Sequence, residues 1–208
     1  LTSTQLNALT STNLDALTTA QVSKLTTTQV SNLTSTQLNL METTDLAALT
    51  TTQVVSLTAA QLDGLDATHL AALSSVASLT STQLNAMAST NLQGLNTTQV
   101  ASLTTTQVSN LTTTQLNLLE TSDVAALSTG AVASLTSTQL NALTSTNLQA
   151  LTTGQNAALT TTQASNLTST QLNLMQTSDV AALSSAAAAS LTSTQLNALT
   201  STNLDALT

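Results

Sequence analysis

Aliphatic residues in this chain recur at alternating spacings of three and five, and that rhythm restricts the fold more than any other feature. From Thr2 onward the phrase T-x-x-Q-[L/V]-x-x-L repeats every eight residues, with apolar side chains at positions 5 and 8. Nine octads occupy residues 2–73, the six-residue phrase SSVASL fills 74–79, and sixteen octads follow over 80–207. Position 8 is Leu in 22 of the 25 octads and Met in three (Met41, Met87, Met175), so the apolar frame almost never lapses. Position 5 is Leu or Val except at Asn156, Ala164 and Ala188. Position 4 is usually Gln.

Three structures can be tested against this period. In one long α-helix, eight residues rotate by about 800°, so the Leu stripe drifts about 80° per octad and faces nothing consistently. Stable supercoils need roughly 3.5 or 3.67 residues per turn, and a period of four lies outside that range. A flat strand needs apolar residues two apart, whereas odd spacings place positions 5 and 8 on opposite faces. Sharp turns would be required to rescue a strand reading. The chain has no Pro and only Gly64, Gly94, Gly130 and Gly154, which leaves few of the usual turn formers.

A chain of very short helices fits. Thr at position 1 is a favoured N-cap. Gln at position 4 is then the third helical residue, which makes T-x-x-Q a capping box. The preceding Leu and the position-5 residue form the hydrophobic staple around it. Thr104, Gln107, Leu103 and Val108 supply all four parts. Asp45, Asp123 and Asp179 at the third position, and Glu42 and Glu120 at the cap, suit the positive end of a helix dipole. Helices this short are marginal alone, so the reading is an all-α solenoid of very short capped helices, one per octad. The core is thin, with about two aliphatic side chains per octad at roughly 1.5–3 kcal/mol each. Many repeats, or contacts with other chains, are therefore expected to be needed.

The array reads as a single continuous domain over 1–208, a slice of a longer protein that begins and ends in mid-phrase. A second period overlies the octad. TSTQLNAM at Thr80 returns as TSTQLNAL at Thr136 and Thr192, a spacing of 56 residues or seven octads. Block duplication accounts for it, since repeat arrays grow that way. A structural role would require every seventh octad to face the same neighbour. SSVASL and the Ala-rich SSAAAASL (184–191) are expected to be seams or bends.

Composition excludes several function classes. Net charge is −8 and Lys24 is the only basic residue besides His69, whereas contacts to nucleic-acid phosphates need several Lys or Arg. No run of apolar residues is long enough to span a bilayer. With no Cys, thiolate metal sites and disulfides are excluded. His69 has no second His or Cys to join it, and it reads as a substitute for Gln, although Asp63 and Asp66 lie nearby. Carboxylate pairs such as Glu42/Asp45 and Glu120/Asp123 fit capping better than acid–base work. Ser and Thr abound without a base to activate them. No catalytic, cofactor-binding or metal residue is assigned, and the chain is read as not an enzyme. Four sequons, at Asn32, Asn96, Asn110 and Asn166, are read as by-products of the repeat.

The phrases LTTTQVSNL and TTAQVSKL (Thr18–Leu25) resemble octad tracts in very large secreted or surface-exposed bacterial repeat proteins of adhesin-like character. LTTTQV also looks like the start of a TAL-effector repeat, but those repeats are about four times longer and carry a basic surface that is lacking here. The first resemblance implies a structural role: a rod or extracellular filament, surface fibre or adhesin shaft, assembling with copies of itself, without small-molecule substrate, nucleic acid or membrane insertion. A single Lys and no Arg leave trypsin-like proteases almost no site, which agrees with an extracellular or cell-surface location. The alternative is a Thr-rich β-solenoid that binds ice or another surface through ranks of Thr.

Overall fold

A computed structural model of the chain describes residues 1–207; the terminal Thr208 lies outside them. Among the described residues there are twenty-five α-helices of four to six residues and one 3-10 turn, and no strand. Each octad contributes one helix. The all-α solenoid expected from the period is what the chain forms, and the strand-based alternative falls with the absence of strands among these residues.

Each octad folds as its caps dictate. Thr50 is extended (φ −68°, ψ 158°), and its hydroxyl accepts the Gln53 N–H. The Gln53 Oε1 accepts the Thr50 N–H in return, at 2.7 Å. The helix Thr51–Ser56 then closes on Leu57, which returns to an extended backbone at φ −62°, ψ 136°. Two extended residues, Leu at position 8 and Thr at position 1, thus make the reversal. No described residue has a positive φ, so the reversals need neither Gly nor Pro. That removes the difficulty posed by the scarcity of turn formers.

The chain divides into two compact units, Leu1–Gln99 and Val100–Thr208. Within each, a helix packs on the helix three octads further on. Thr27–Asn32 meets Thr51–Ser56 and Thr43–Ala47 meets Ala67–Ala72 in the first unit; Thr105–Asn110 meets Thr129–Ala133 in the second. Side-chain hydrogen bonds also reach the octad four away, as described below. A turn of either superhelix therefore takes between three and four octads, and seven octads carry the chain about twice round. Within the second unit, the 56-residue spacing from Thr136 to Thr192 thus corresponds to about two turns of the superhelix.

Positions 5 and 8 line the inside. Leu62, Leu84, Val108 and Leu140 at position 5 are fully buried, and the position-8 residues Leu33, Leu57 and Leu111 nearly so. Both expected irregularities keep this pattern. SSVASL makes a 3-10 turn, Val76–Ser78, that buries Val76 and Leu79. SSAAAASL is an ordinary octad whose helix Ser185–Ala189 is capped by the Ser184 hydroxyl.

Candidate functional site

The side chains that join one turn to the next form two ladders, and both grow from the repeat. The first uses Gln at position 4. In the helix Thr51–Ser56, the Gln53 Nε2 donates to the Val22 carbonyl at 2.9 Å and to the Leu25 carbonyl at 2.7 Å. Those are positions 5 and 8 of the octad four repeats back, at the end of its helix, where carbonyls lack intrahelical partners. Gln61 does the same to Val30 and Leu33. In the second unit Gln155 reaches Val124 and Leu127, and Gln163 reaches Val132 and Leu135. One amide therefore caps the start of its own helix with its oxygen and the end of another with its nitrogen.

The second ladder uses Asn at position 6 and runs the other way. The Asn39 Nδ2 donates to the Gly64 carbonyl, three repeats on, at 2.8 Å, and its Oδ1 accepts the Asp66 N–H, four repeats on, at 3.1 Å. Asn117 bonds the Ala142 carbonyl and the Thr144 N–H in the same manner, and Asn173 bonds Ala198 and Thr200. The two ladders are coupled. At Asn91, Asn147, Asn203 and His69, all at position 4, the side chain reaches carbonyls about four repeats back but does not take the N–H of its own cap residue. Asn147, for example, bonds the Leu116 and Leu119 carbonyls, and the Thr144 N–H goes to Asn117. Asp63 serves Ala88 in this way while Asn91 bonds the Leu62 and Leu65 carbonyls. The Gln box was legible in the sequence; this coupling between residues about four repeats apart was not, because it requires knowing which octads touch.

His69 behaves as a Gln substitute. Its Nδ1 lies 2.7 Å from Asp66 Oδ1 and its Nε2 3.1 Å from the Met41 carbonyl, so one nitrogen faces its own cap and the other the octad four repeats back. The bonds from His69 hold the Asp66 carboxyl below its ordinary range. Asp63 is committed to Ala88. These three residues are thus used in capping and stacking.

The three position-4 aspartates differ from expectation. Asp45, Asp123 and Asp179 occupy the third helical position as read, but they are 2–3% exposed and stand where other octads place an amide donor. Burial raises all three carboxyls above the usual range; Glu42 and then Asp15 add to the effect at Asp45, while at Asp123 a hydrogen bond with the Glu120 backbone opposes it and the Glu120 charge adds to it. Asp45 Oδ2 has no hydrogen-bond partner among the described residues. A bond with the Asn156 side chain, itself buried at position 5, and another with the Gln176 backbone oppose the rise at Asp179. Glu42 and Glu120 sit at the cap, yet neither side chain accepts a backbone N–H of the helix start; the Glu42 Oε2 accepts the Thr44 hydroxyl at 3.2 Å instead. A dipole argument therefore describes where these acids stand but not the interiors they enter.

The sequon asparagines Asn32, Asn110 and Asn166 bond back to carbonyls of their own helices, and Asn96 is an N-cap whose Oδ1 accepts the Gln99 N–H at 2.9 Å. No helix of the described residues is long and apolar enough to cross a membrane.

No curated protein matches the chain. A family model described as the ALTTAQ repeat matches three times, over residues 38–75, 76–113 and 116–153. The six letters of that description are spelled by Ala16–Gln21, where Thr18 and Gln21 form one of the capping boxes. The matched stretches cover more than half of the chain, and their capped octads and stacking amides are those described above: this chain belongs to the ALTTAQ repeat family.

Proposed function

We propose that the chain is a non-enzymatic structural repeat protein, a segment of an extracellular or cell-surface fibre that assembles with copies of itself. The observation that carries this reading is the Gln ladder. The most characteristic polar side chains of the repeat are consumed in joining octad to octad, as Gln61 is with the Val30 and Leu33 carbonyls. Stability in such an array comes from nearest-neighbour contacts that add with length, which suits a spacer or shaft. The scarcity of Lys and Arg fits a chain that meets proteases outside the cell.

Electron cryomicroscopy of the native protein tests the reading. Ordered filaments built of stacked short helices are the expected result. Dispersed single particles at every concentration would remove the filament and leave a binding shaft.

A further inference from the structure

We propose that Asn156 and Asp179 form a matched buried pair that fixes the register in which one turn of the second superhelix lies on the next. Asn156 is the one polar residue at position 5 of the 25 octads. It is 1% exposed. Its Nδ2 donates to the Leu151 carbonyl at 3.3 Å and to the Thr152 carbonyl at 3.1 Å, and its Oδ1 has no partner among the described residues. The helix Thr153–Ala157 packs on Thr177–Ala181, three octads further on. There the Asn156 side chain hydrogen-bonds the buried Asp179 carboxylate.

The pair completes the first ladder where Gln is missing. Elsewhere position 4 supplies the amide for the position-8 carbonyl four repeats back, as Gln155 does for Leu127 at 2.7 Å. Asp179 carries no amide, and the corresponding carbonyl, that of Leu151, is taken by Asn156 instead. The other position-4 aspartates lack this arrangement. At the same 23-residue spacing Asp45 has Val22 and Asp123 has Val100. Val22 is fully buried and its helix Thr19–Val22 packs on Thr43–Ala47. Asp45 Oδ2 is left without a partner among the described residues. An amide at position 5 thus distinguishes the octads around Asp179 from those around Asp45.

Register is the property such a pair can control. Octads so alike fit one another almost equally well after a slip of one repeat. Position 5 still meets aliphatic neighbours, position 8 meets its like, and each Gln finds another pair of carbonyls. A slip of one octad in either direction, however, sets Asp179 against Leu148 or Ala164 in place of Asn156. Asn156 is then buried without the carboxylate. An unpaired buried polar group disfavours the slipped form by on the order of tenfold. A single buried Asn selects register in coiled coils by the same means, at a cost in stability. Asn156 shows that cost, since its Oδ1 is buried and unused.

Hydrogen exchange of the full chain, followed by mass spectrometry over residues 152–159 and 176–183, tests the pair. The wild type is compared with Asn156→Val, Asp179→Gln and the double variant, each checked by circular dichroism. Each substitution restores the usual residue of its position, yet each leaves the other partner unmatched. The expected coupling in protection is at least about tenfold. Removing the octad 160–167 from the wild type and from the double variant then tests register, because it sets Asp179 against Leu148. Protection is expected to fall at least about tenfold further in the wild-type background. If neither shortened chain folds, the same comparison is made with octad 160–167 duplicated, which sets Asp179 against Ala164. Additive effects of the two substitutions overturn the pair. A coupled pair with an equal cost of deletion or duplication in both backgrounds overturns its role in register.

Discussion

Gln53 and Leu25 are 28 residues apart, yet the Gln53 Nε2 lies 2.7 Å from the Leu25 carbonyl oxygen while the same side chain caps its own helix at Thr50. The repeat therefore stores its long-range order in a residue that also fixes its local order. Substituting such a residue should damage both at once.

Gln61→Glu is the most direct probe of that dual role. The carboxylate keeps the cap acceptor but turns the donor facing the Val30 and Leu33 carbonyls into an anion. A loss of about 2–4 kcal/mol at pH 7 is expected, since a buried unpaired polar group costs about 1–3 kcal/mol and a charged one more. Urea unfolding checks it. An unchanged midpoint would mean that the ladder contributes nothing.

His69→Gln should be nearly silent, within about 0.5 kcal/mol, because Gln is the usual occupant of that position. His69→Ala removes both the Asp66 and Met41 contacts and should cost about 1–2 kcal/mol. Thermal melts of the two variants distinguish a stacking role from a silent surface residue.

Gly64 marks a tight approach between two helices. A Cβ added there would come within 2.3 Å of the Ser35 side chain, and the Gly64 carbonyl is also the acceptor for Asn39. Gly64→Ala is expected to destabilise by about 1–3 kcal/mol through overpacking, although Ala ordinarily favours a helix. Paired with Ser35→Gly, most of that loss should return, which a double-mutant cycle measures directly.

Acid should stabilise part of this array. Asp45, Asp123 and Asp179 have folded-state pKa values raised above the unfolded value, so the folded chain binds protons more readily there. Their penalty is absent below the unfolded pKa, grows as pH rises through the interval between the two values, and is complete above the folded one. Asp66 acts in the opposite sense, losing its contribution as pH falls through its lowered value. Asp123→Asn should gain about 1 kcal/mol at pH 7 by removing the buried charge and supplying an amide donor. It should also flatten the acid side of the stability curve. Denaturant unfolding between about pH 4 and pH 7 gives the comparison.

The helices, their caps and the staple were legible because each is written within one octad: Thr104, Gln107, Leu103 and Val108 are enough to place one. The faces that bury were legible for the same reason. What could not be read was the number of octads per turn, since no single octad encodes its neighbour. Asn39 illustrates the consequence. As a residue it is an ordinary polar side chain at position 6, and only the contact with octads three and four repeats on gives its amide two partners. Asp45 and Asp123 were placed correctly along the helix but not in depth, because capping chemistry fixes the distance to the helix start and not the side of the solenoid that follows. SSVASL read as a break because it is two residues short of an octad, and SSAAAASL because it is rich in Ala. In SSAAAASL the position-4 residue is Ala187, and the Ser190 hydroxyl donates to the Thr161 carbonyl at 3.1 Å. In the octad of Ala131, which also lacks Gln, the Ser134 hydroxyl donates to the Thr105 carbonyl at 3.0 Å, a bond that Ser56 also makes to Thr27 in the octad of Gln53.

The 3-10 turn of SSVASL has a consequence for how such arrays change by insertion and deletion. Across it, Gln83 still finds the Leu57 carbonyl and Gln99 the Leu73 carbonyl, at a separation of 26 residues where Gln53 and Leu25 are 28 apart. Two letters are missing, and the pairing by rung has not slipped. The array keeps its reading frame in rungs rather than in residues, so a small deletion confined to one rung is absorbed there, whereas removal of a whole rung would re-pair everything above it. Homologous arrays are therefore to be aligned rung against rung, with gaps confined inside the rung.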